Sequence, residues 1–207
     1  MKTMMKMSLA GLILLFCISV NAQDKPVTFG VKAGMNISNL TDDFDDCDAK
    51  VGFNIGVTLD YAITPDIYLL TGLDFTTKGA KLDDDLKLNL SYLQLPIHVG
   101  YKLTISDATK IGFHAGPYLA YGVDGSWKAK GGSLDVFGDD AFLKMKRFDF
   151  GIGGGAFVEF DKFNIGLSYD LGLTNISDFD NGVIEGIDTS DISTKNVAAY
   201  LTVGYKF

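Results

Sequence analysis

The chain has 207 residues, a formal net charge of −8 and only two cysteines. An acidic balance excludes a nucleic-acid partner, which requires basic patches. Gly is abundant at 24 and Pro scarce at 4 while aromatics reach 12%, and after the N-terminal segment no stretch approaches the ~20 consecutive apolar residues of a spanning helix.

Residues 1–22 read as a secretory signal peptide. Lys2 and Lys6 give a positive start, Leu9 to Val20 an apolar run, and Val20-Asn21-Ala22 a small-residue cleavage site. A rival reading makes Cys17 a lipid-modified N-terminus, but Phe16 stands where a small residue is needed. The remainder, 23–207, forms one domain that is more acidic still, because the leader removes two lysines. It keeps Cys47 as its single cysteine, so no internal disulfide is possible.

From there the chain alternates with period 2, the mark of strands with one apolar face. In 27–37, Val27, Phe29, Val31, Ala33, Met35 and Ile37 alternate with Thr28, Gly30, Lys32, Gly34 and Asn36. The rhythm continues from Val51 to Ile63, turns at Thr64-Pro65-Asp66 and resumes with Ile67, Leu69, Leu73 and Phe75. Residues 87–103 carry Leu93 to Leu103 on one face and Tyr92, Gln94, Pro96, His98, Gly100 and Lys102 on the other. Leu86, Leu88 and Leu90 fall in the opposite phase, which a bulge near Ser91 to Leu93 would reconcile. Pro96 lacks a donor and suggests a further irregularity. Residues 110–123, 147–160, 163–174 and 196–207 complete eight strands, and no segment reads as a helix.

Alternation alone does not say which face is inside. Size does: Gly30, Gly34, Gly52, Gly56, Gly112, Gly116, Gly151, Gly153 and Gly155 share the polar face. The interior of an eight-stranded barrel is just wide enough for side chains, so small residues belong there and bulky ones face lipid. Connections alternate between short (64–66, 104–109, 161–162) and long (38–49, 79–86, 124–146, 175–195). Aromatics (Tyr61, Tyr101, Phe160, Phe163, Tyr205, Phe207) gather near the short turns, as at a membrane interface. The expected fold is all-β, a single eight-stranded antiparallel up-and-down transmembrane β-barrel with short periplasmic turns and long extracellular loops, in a bacterial outer membrane.

Leu201-x-Val203-x-Tyr205-x-Phe207 looks like the outer-membrane assembly signal. Tyr92-Leu93-Gln94-Leu95-Pro96-Ile97, with Gly100-Tyr101-Lys102, resembles the "YLxxP" strand of the PorT-like small outer-membrane barrel proteins of Bacteroidetes. Gly30-Val31-Lys32-Ala33-Gly34-Met35-Asn36 is similar to that family's first strand. The resemblance spans the exported chain and implies fold and location. The family is functionally mixed, with one branch associated with a secretion system, so it implies no activity.

His98 and His114 lie on the polar face of neighbouring strands, where they read as parts of an interior hydrogen-bond network. The alternative is a metal ligand or general base of a lipid-acting barrel enzyme, which also needs a nucleophile and an orienting acid within reach. Lys32, Asp60, Asp74, Lys78, Lys102, Arg147, Asp149, Glu159, Asp170 and Lys206 share that face and are expected to pair as a salt-bridged plug, against the alternative of a selective pore. Acid crowds the long loops: Asp42, Asp43, Asp45, Asp46 and Asp48; Asp83 to Asp85; Asp139 and Asp140; Asp178, Asp180, Glu185, Asp188 and Asp191. These read as solvated loops, with divalent cations as the alternative; Asp178-x-Asp180 lacks EF-hand spacing. Gly151 to Gly155 reads as close packing, not a phosphate loop. Cys47 sits among acids that disfavour its thiolate. Trp127, with Lys128 and Lys130, is either an interface anchor or a partner contact.

No catalytic set, cofactor or metal is assigned. The expectation is a non-enzymatic, monomeric barrel whose acidic extracellular loops serve envelope structure or an unidentified protein partner. Its other partners are outer-membrane lipid and the barrel assembly machinery, the latter through the strand ending in Phe207. Two alternatives stand beside it, a lipid-acting enzyme using His98 or His114 and a soluble exported barrel with an apolar ligand inside.

Overall fold

The structure, a computed structural model, describes residues 26–42, 47–83, 86–129, 132–137, 145–177 and 193–207. Residues 1–22, read from the sequence as a signal peptide, and the acids at 43–46, 84–85, 139–140 and 178–191 lie outside these residues, as does Lys130. The strands are β1 (Val27–Asp42), β2 (Asp48–Ala62), β3 (Ile67–Lys78), β4 (Ala80–Asp83), β5 (Leu86–Ser106), β6 (Thr109–Ala129), β7 (Gly132–Asp135), β8 (Phe148–Phe160), β9 (Phe163–Gly172) and β10 (Thr194–Lys206). β1, β2, β3, β5, β6, β8, β9 and β10 pair in antiparallel succession. The ring closes where β10 returns to β1, from Gly30↔Lys206 to Asp42↔Thr194. Closure leaves no open edge for the spanning strands, as hydrocarbon requires. Among the described residues, no helix is long and apolar enough to cross a membrane.

The short connections follow their turn chemistry. Thr64 Oγ1 accepts the amide of Ile67 at 2.9 Å, closing the Pro65 turn. Asp161 turns the β8–β9 hairpin at φ 53°, a left-handed conformation that a short acidic side chain tolerates. Opposite the turns, β5 and β6 each run for 21 residues, about twice the ~9–11 that cross a bilayer. Their outer ends therefore stand beyond the membrane. There β4 pairs with β2 and β5, and β7 pairs with β6. These two short strands correct the reading of 79–86 and 124–146 as wholly loop. The ladder simply continues past the bilayer, and Gly79, at φ 139°, offsets β4 from β3.

The two faces are those that residue size predicts. Met35, Phe53, Ile55, Leu167 and Val203 are half or more exposed to the lipid side, Leu167 at 65%. Asn36, Asp74, Asp149 and Asp170 are buried inside, none above 5% exposed. An outward apolar face removes the alternative of a soluble barrel with an apolar lumen.

One detail differs from expectation. β5 keeps strict alternation from Leu88 to Gly100, so it does not change phase at Ser91. The register shift belongs to β6: Ser91 faces Asp124 and Tyr92 faces Gly122, which leaves Val123 as the extra residue. Arg147 donates to the carbonyls of Gly122 and Phe137 at 3.0 and 3.1 Å, holding the chain beside this bulge. Beyond it, the odd residues of β6 turn inward, and Leu88, Leu90 and Trp127 meet Leu40, Val136, Met145 and Ile176 in an apolar layer that caps the lumen. Pro96 still pairs with Tyr118 of β6, but the β3–β5 ladder is interrupted between Thr71↔Ile97 and Asp74↔Gln94. There Thr71 Oγ1 donates to the Pro96 carbonyl at 2.8 Å.

Candidate functional site in the barrel lumen

The lumen is built in layers. At the end near the short turns, Lys206 Nζ donates to Asp60 Oδ2 and Glu159 Oε2 at 2.7 and 2.5 Å. Lys102 Nζ lies 3.1 and 3.7 Å from the same two carboxylates and 4.5 Å from the centre of the Tyr68 ring. Tyr68 and Phe157 meet edge-on at 6.2 Å and floor the lumen. Their rings fill the space over Gly100 and Gly112, where any Cβ would overlap them.

The middle layer holds the histidines. His98 Nδ1 and His114 Nδ1 are 2.8 Å apart, with rings stacked at 5.0 Å and 18°. Lys32 pairs with Asp74 at 2.8 Å, and Gln94 Nε2 donates to Asp170 Oδ2 at 2.7 Å. These groups surround a cavity of about 90 Å³, room for a few small polar guests. Above it, Lys78 is fully buried, 3.8 Å from both Asp149 and Asp170 and 4.5 Å from the Tyr118 ring centre. Asn196 and Tyr118 donate to Asp149 Oδ2 at 3.0 and 3.4 Å. The apolar cap then closes the stack.

Nine of the ten interior charges read from the sequence thus pair with one another. Arg147 is the departure, because its guanidinium holds the β6 bulge and stacks 4.7 Å from the Phe137 ring centre. Trp127 is buried in the cap at 6% exposure and is neither a membrane anchor nor an accessible contact. Cys47 is partly buried against the same cap. Gly151 to Gly155 lie inside β8, and Gly153 packs against His98 and Asp170. Tyr68, Tyr118, Phe157 and Tyr200 were missed as interior groups. The signal was parity: each sits in the polar phase of its strand, where a ring among charges looks out of place.

The arrangement pairs charge with charge, although Lys78 Nζ, His98 Nε2, Gln94 Oε1 and one oxygen each of Asp60, Asp74 and Asp149 have no hydrogen-bond partner among the described residues. Each imidazole takes the other as its Nδ1 partner, the lysines are held by carboxylates, and among the described residues no three His, Cys, Asp or Glu side chains converge as a metal set.

Comparison with known proteins agrees with this architecture. The sequence model of the outer membrane protein beta-barrel domain family matches residues 21–178. The crystal structure of Neisserial surface protein A (NspA) superposes with a TM-score of 0.52 at 13% identity, covering 86% of this chain and 97% of that one. Ail, the attachment invasion locus protein of Yersinia pestis, gives 0.45 at 16% identity, over 88% and 99% of the two chains. The outer membrane protein OprG from Pseudomonas aeruginosa gives 0.47 at 13%, over 88% and 97%. At such identities the likeness is one of fold, and NspA carries it. A search of curated proteins gives no match.

Proposed function

Because the chain belongs to the outer membrane protein beta-barrel domain family and resides in the bacterial outer membrane, we propose that it is a non-enzymatic, non-conducting barrel whose extracellular end carries its function. The observation that supports this most is the closed lumen. Its charges are consumed by pairing, and an apolar layer that includes Leu88 and Trp127 shuts it on one side. A pore needs an open, wet path, and a hydrolase needs a base free to reach a nucleophile. Among the described residues, the paired charges and the apolar layer support neither reading.

What the fold builds instead is a rigid extension outside the bilayer, the outer ends of β5 and β6 flanked by β4 and β7. The acidic loops rise from this base, and exposed Asp48 and Asp135 mark its described part. On this reading the extension serves envelope structure or holds an extracellular partner, with divalent cations bridging its acids to anionic surface glycolipid. The strand ending in Phe207 serves as the address read by the barrel assembly machinery, and the barrel acts as a monomer. PorT-like kinship remains a part of the proposal that rests on the motifs of β1 and β5.

The test is a pair of variants expressed in the native host. One replaces residues 124–146 and 175–195 with short turns; the other replaces His98 and His114 with phenylalanine. The loop variant should assemble but lose detergent resistance of the envelope or capture of the partner, and the histidine variant should keep both. The reverse pattern would overturn the proposal in favour of a lipid-acting enzyme.

A further inference from the structure

The outer wall of the extension carries a row of cations. Lys81 of β4 stands opposite Lys87 of β5, and Lys87 stands opposite Lys128 of β6. Residues opposite each other on an antiparallel ladder share a face, with Cβ atoms about 4.5–5.5 Å apart. Leu88 and Trp127, the chain neighbours of Lys87 and Lys128, are buried inside, so the lysines are on the outward face. Lys87 and Lys128 are exposed and Lys81 is partly so. Asp48 of β2 stands opposite Lys81 at one end of the row, and Ser133 of β7 opposite Lys128 at the other.

Like charges directly opposite on a ladder repel one another, and in a chain of net charge −8 three adjoining ammonium groups run against the overall balance. Among the described residues, none of the three forms an ion pair with Asp48, Asp124 or Asp135. Asp135 instead accepts the amide of Phe137 at 2.7 Å. Basic clusters at a membrane surface attract anionic headgroups. We propose that Lys81, Lys87 and Lys128 bind the phosphate groups of the sugar headgroup of an outer-leaflet glycolipid directly, without a bridging metal ion. The proposal rests on the envelope role argued above.

Height on the wall selects the lipid. The outward apolar run of β5 begins at Leu93, and Asn89 and Ser91 separate it from Lys87. Six residues of strand rise about 20 Å, which a tilt of about 35–45° reduces to about 15 Å along the membrane normal. Phospholipid headgroups add only about 5–8 Å to each side of the hydrocarbon, so their phosphates stay below the row. A sugar headgroup stands up beside the wall and reaches it, and lysine stems bend back toward the membrane to meet it.

The experiment titrates the whole barrel, folded in detergent, with rough lipopolysaccharide in the presence of EDTA. The wild type should bind, and more weakly as salt is raised. Lys81→Gln, Lys87→Gln and Lys128→Gln together should weaken binding about a hundredfold, while arginine at the same three positions should retain it. Lys110→Gln with Lys162→Gln, at the short-turn end, should bind as the wild type does. All these side chains lie on the surface, and the gel band shift confirms that each variant folds. Equal binding by the triple glutamine variant overturns the proposal and leaves the row to the acids of its own hairpin, Asp83 to Asp85. Equal binding of lipopolysaccharide stripped of phosphate by hydrofluoric acid overturns it too, as does displacement by millimolar inorganic phosphate, which marks a plain anion site. Binding lost in EDTA and restored by calcium overturns direct contact but leaves the cation-bridged envelope role standing. Binding as proposed, with full detergent resistance in cells carrying the triple glutamine variant, supports the site and refutes that role instead.

Discussion

Leu88 and Trp127 stand directly opposite each other on β5 and β6, both turned into the barrel and both buried. They belong to strand segments that lie beyond the bilayer; Leu88 faces inward in the unbroken phase of β5, and Trp127 faces inward because Val123 is inserted in β6. One extra residue in one strand turns an outward face into an inward one, since side chains repeat every two residues. The insertion is what brings Trp127 into the cap.

Deleting Val123 should therefore dismantle the cap. Trp127 is the chain's single tryptophan, so its fluorescence reports on this site alone. The wild type should emit at short wavelength and resist acrylamide. The deletion should shift emission to longer wavelength and open the indole to quenching, while the lipid-facing strands still assemble. Trp127→Ala, which leaves a cavity without changing phase, should cost about 3–5 kcal/mol, read as a lower conversion temperature on gels.

Strand number, face assignment and the short turns were legible because each rests on a local rule: period 2, glycine on the concave side, Pro65 and Asp161 at turns. The bulge was legible only as a phase conflict. Leu86, Leu88 and Leu90 looked misplaced, and the conflict was assigned to β5 because the leucines are there. β5 in fact keeps its phase, and Leu88 and Leu90 face an interior that turns apolar there; the inserted residue is Val123 on β6, visible only once the β5–β6 register is known. The histidine contact was foreseeable from parity on adjacent strands. The identity of the ion-pair partners was not, since Lys206 reaches Glu159 and Asp60 across the lumen, and the period-2 rule does not address distances through the barrel. β4 and β7 escaped notice because four residues show no period.

Lys206 supplies the shortest contacts of the lower ion cluster. Lys206→Met leaves Asp60 and Glu159, both largely buried, sharing only Lys102. Breaking a buried pair by removing one partner costs about 3–5 kcal/mol, and that loss should appear in the conversion temperature. Adding Glu159→Gln restores balance and should recover most of it. If the single variant is as stable as the wild type, the lower cluster contributes nothing to the fold.

The face assignment has its own test at Val99, which is 56% exposed in the middle of the apolar run of β5. Val99→Arg puts a cation into lipid and should cost about 2–4 kcal/mol when refolded into bilayers. A neutral result in bilayers would mean that this strand does not face hydrocarbon.

The histidine pair distinguishes a structural interior from a catalytic one. His98 is 4% exposed and its Nε2 has no partner, so its Nδ1 contact to His114 is its one hydrogen bond. His114→Phe removes that contact and should cost about 1–3 kcal/mol, the penalty for an unmatched buried polar group. His98→Phe should cost less, because His114 is only partly buried. Replacing both partners by apolar rings of similar shape leaves nothing unmatched, and the rings are already stacked. The double variant should therefore be more stable than the sum of the single losses predicts, by about 1–2 kcal/mol of coupling. A double-mutant cycle on the conversion temperature measures this directly. Additive losses would show that the two imidazoles act separately, as an acid and a base in an active site do, and would return His98 and His114 to candidacy for chemistry.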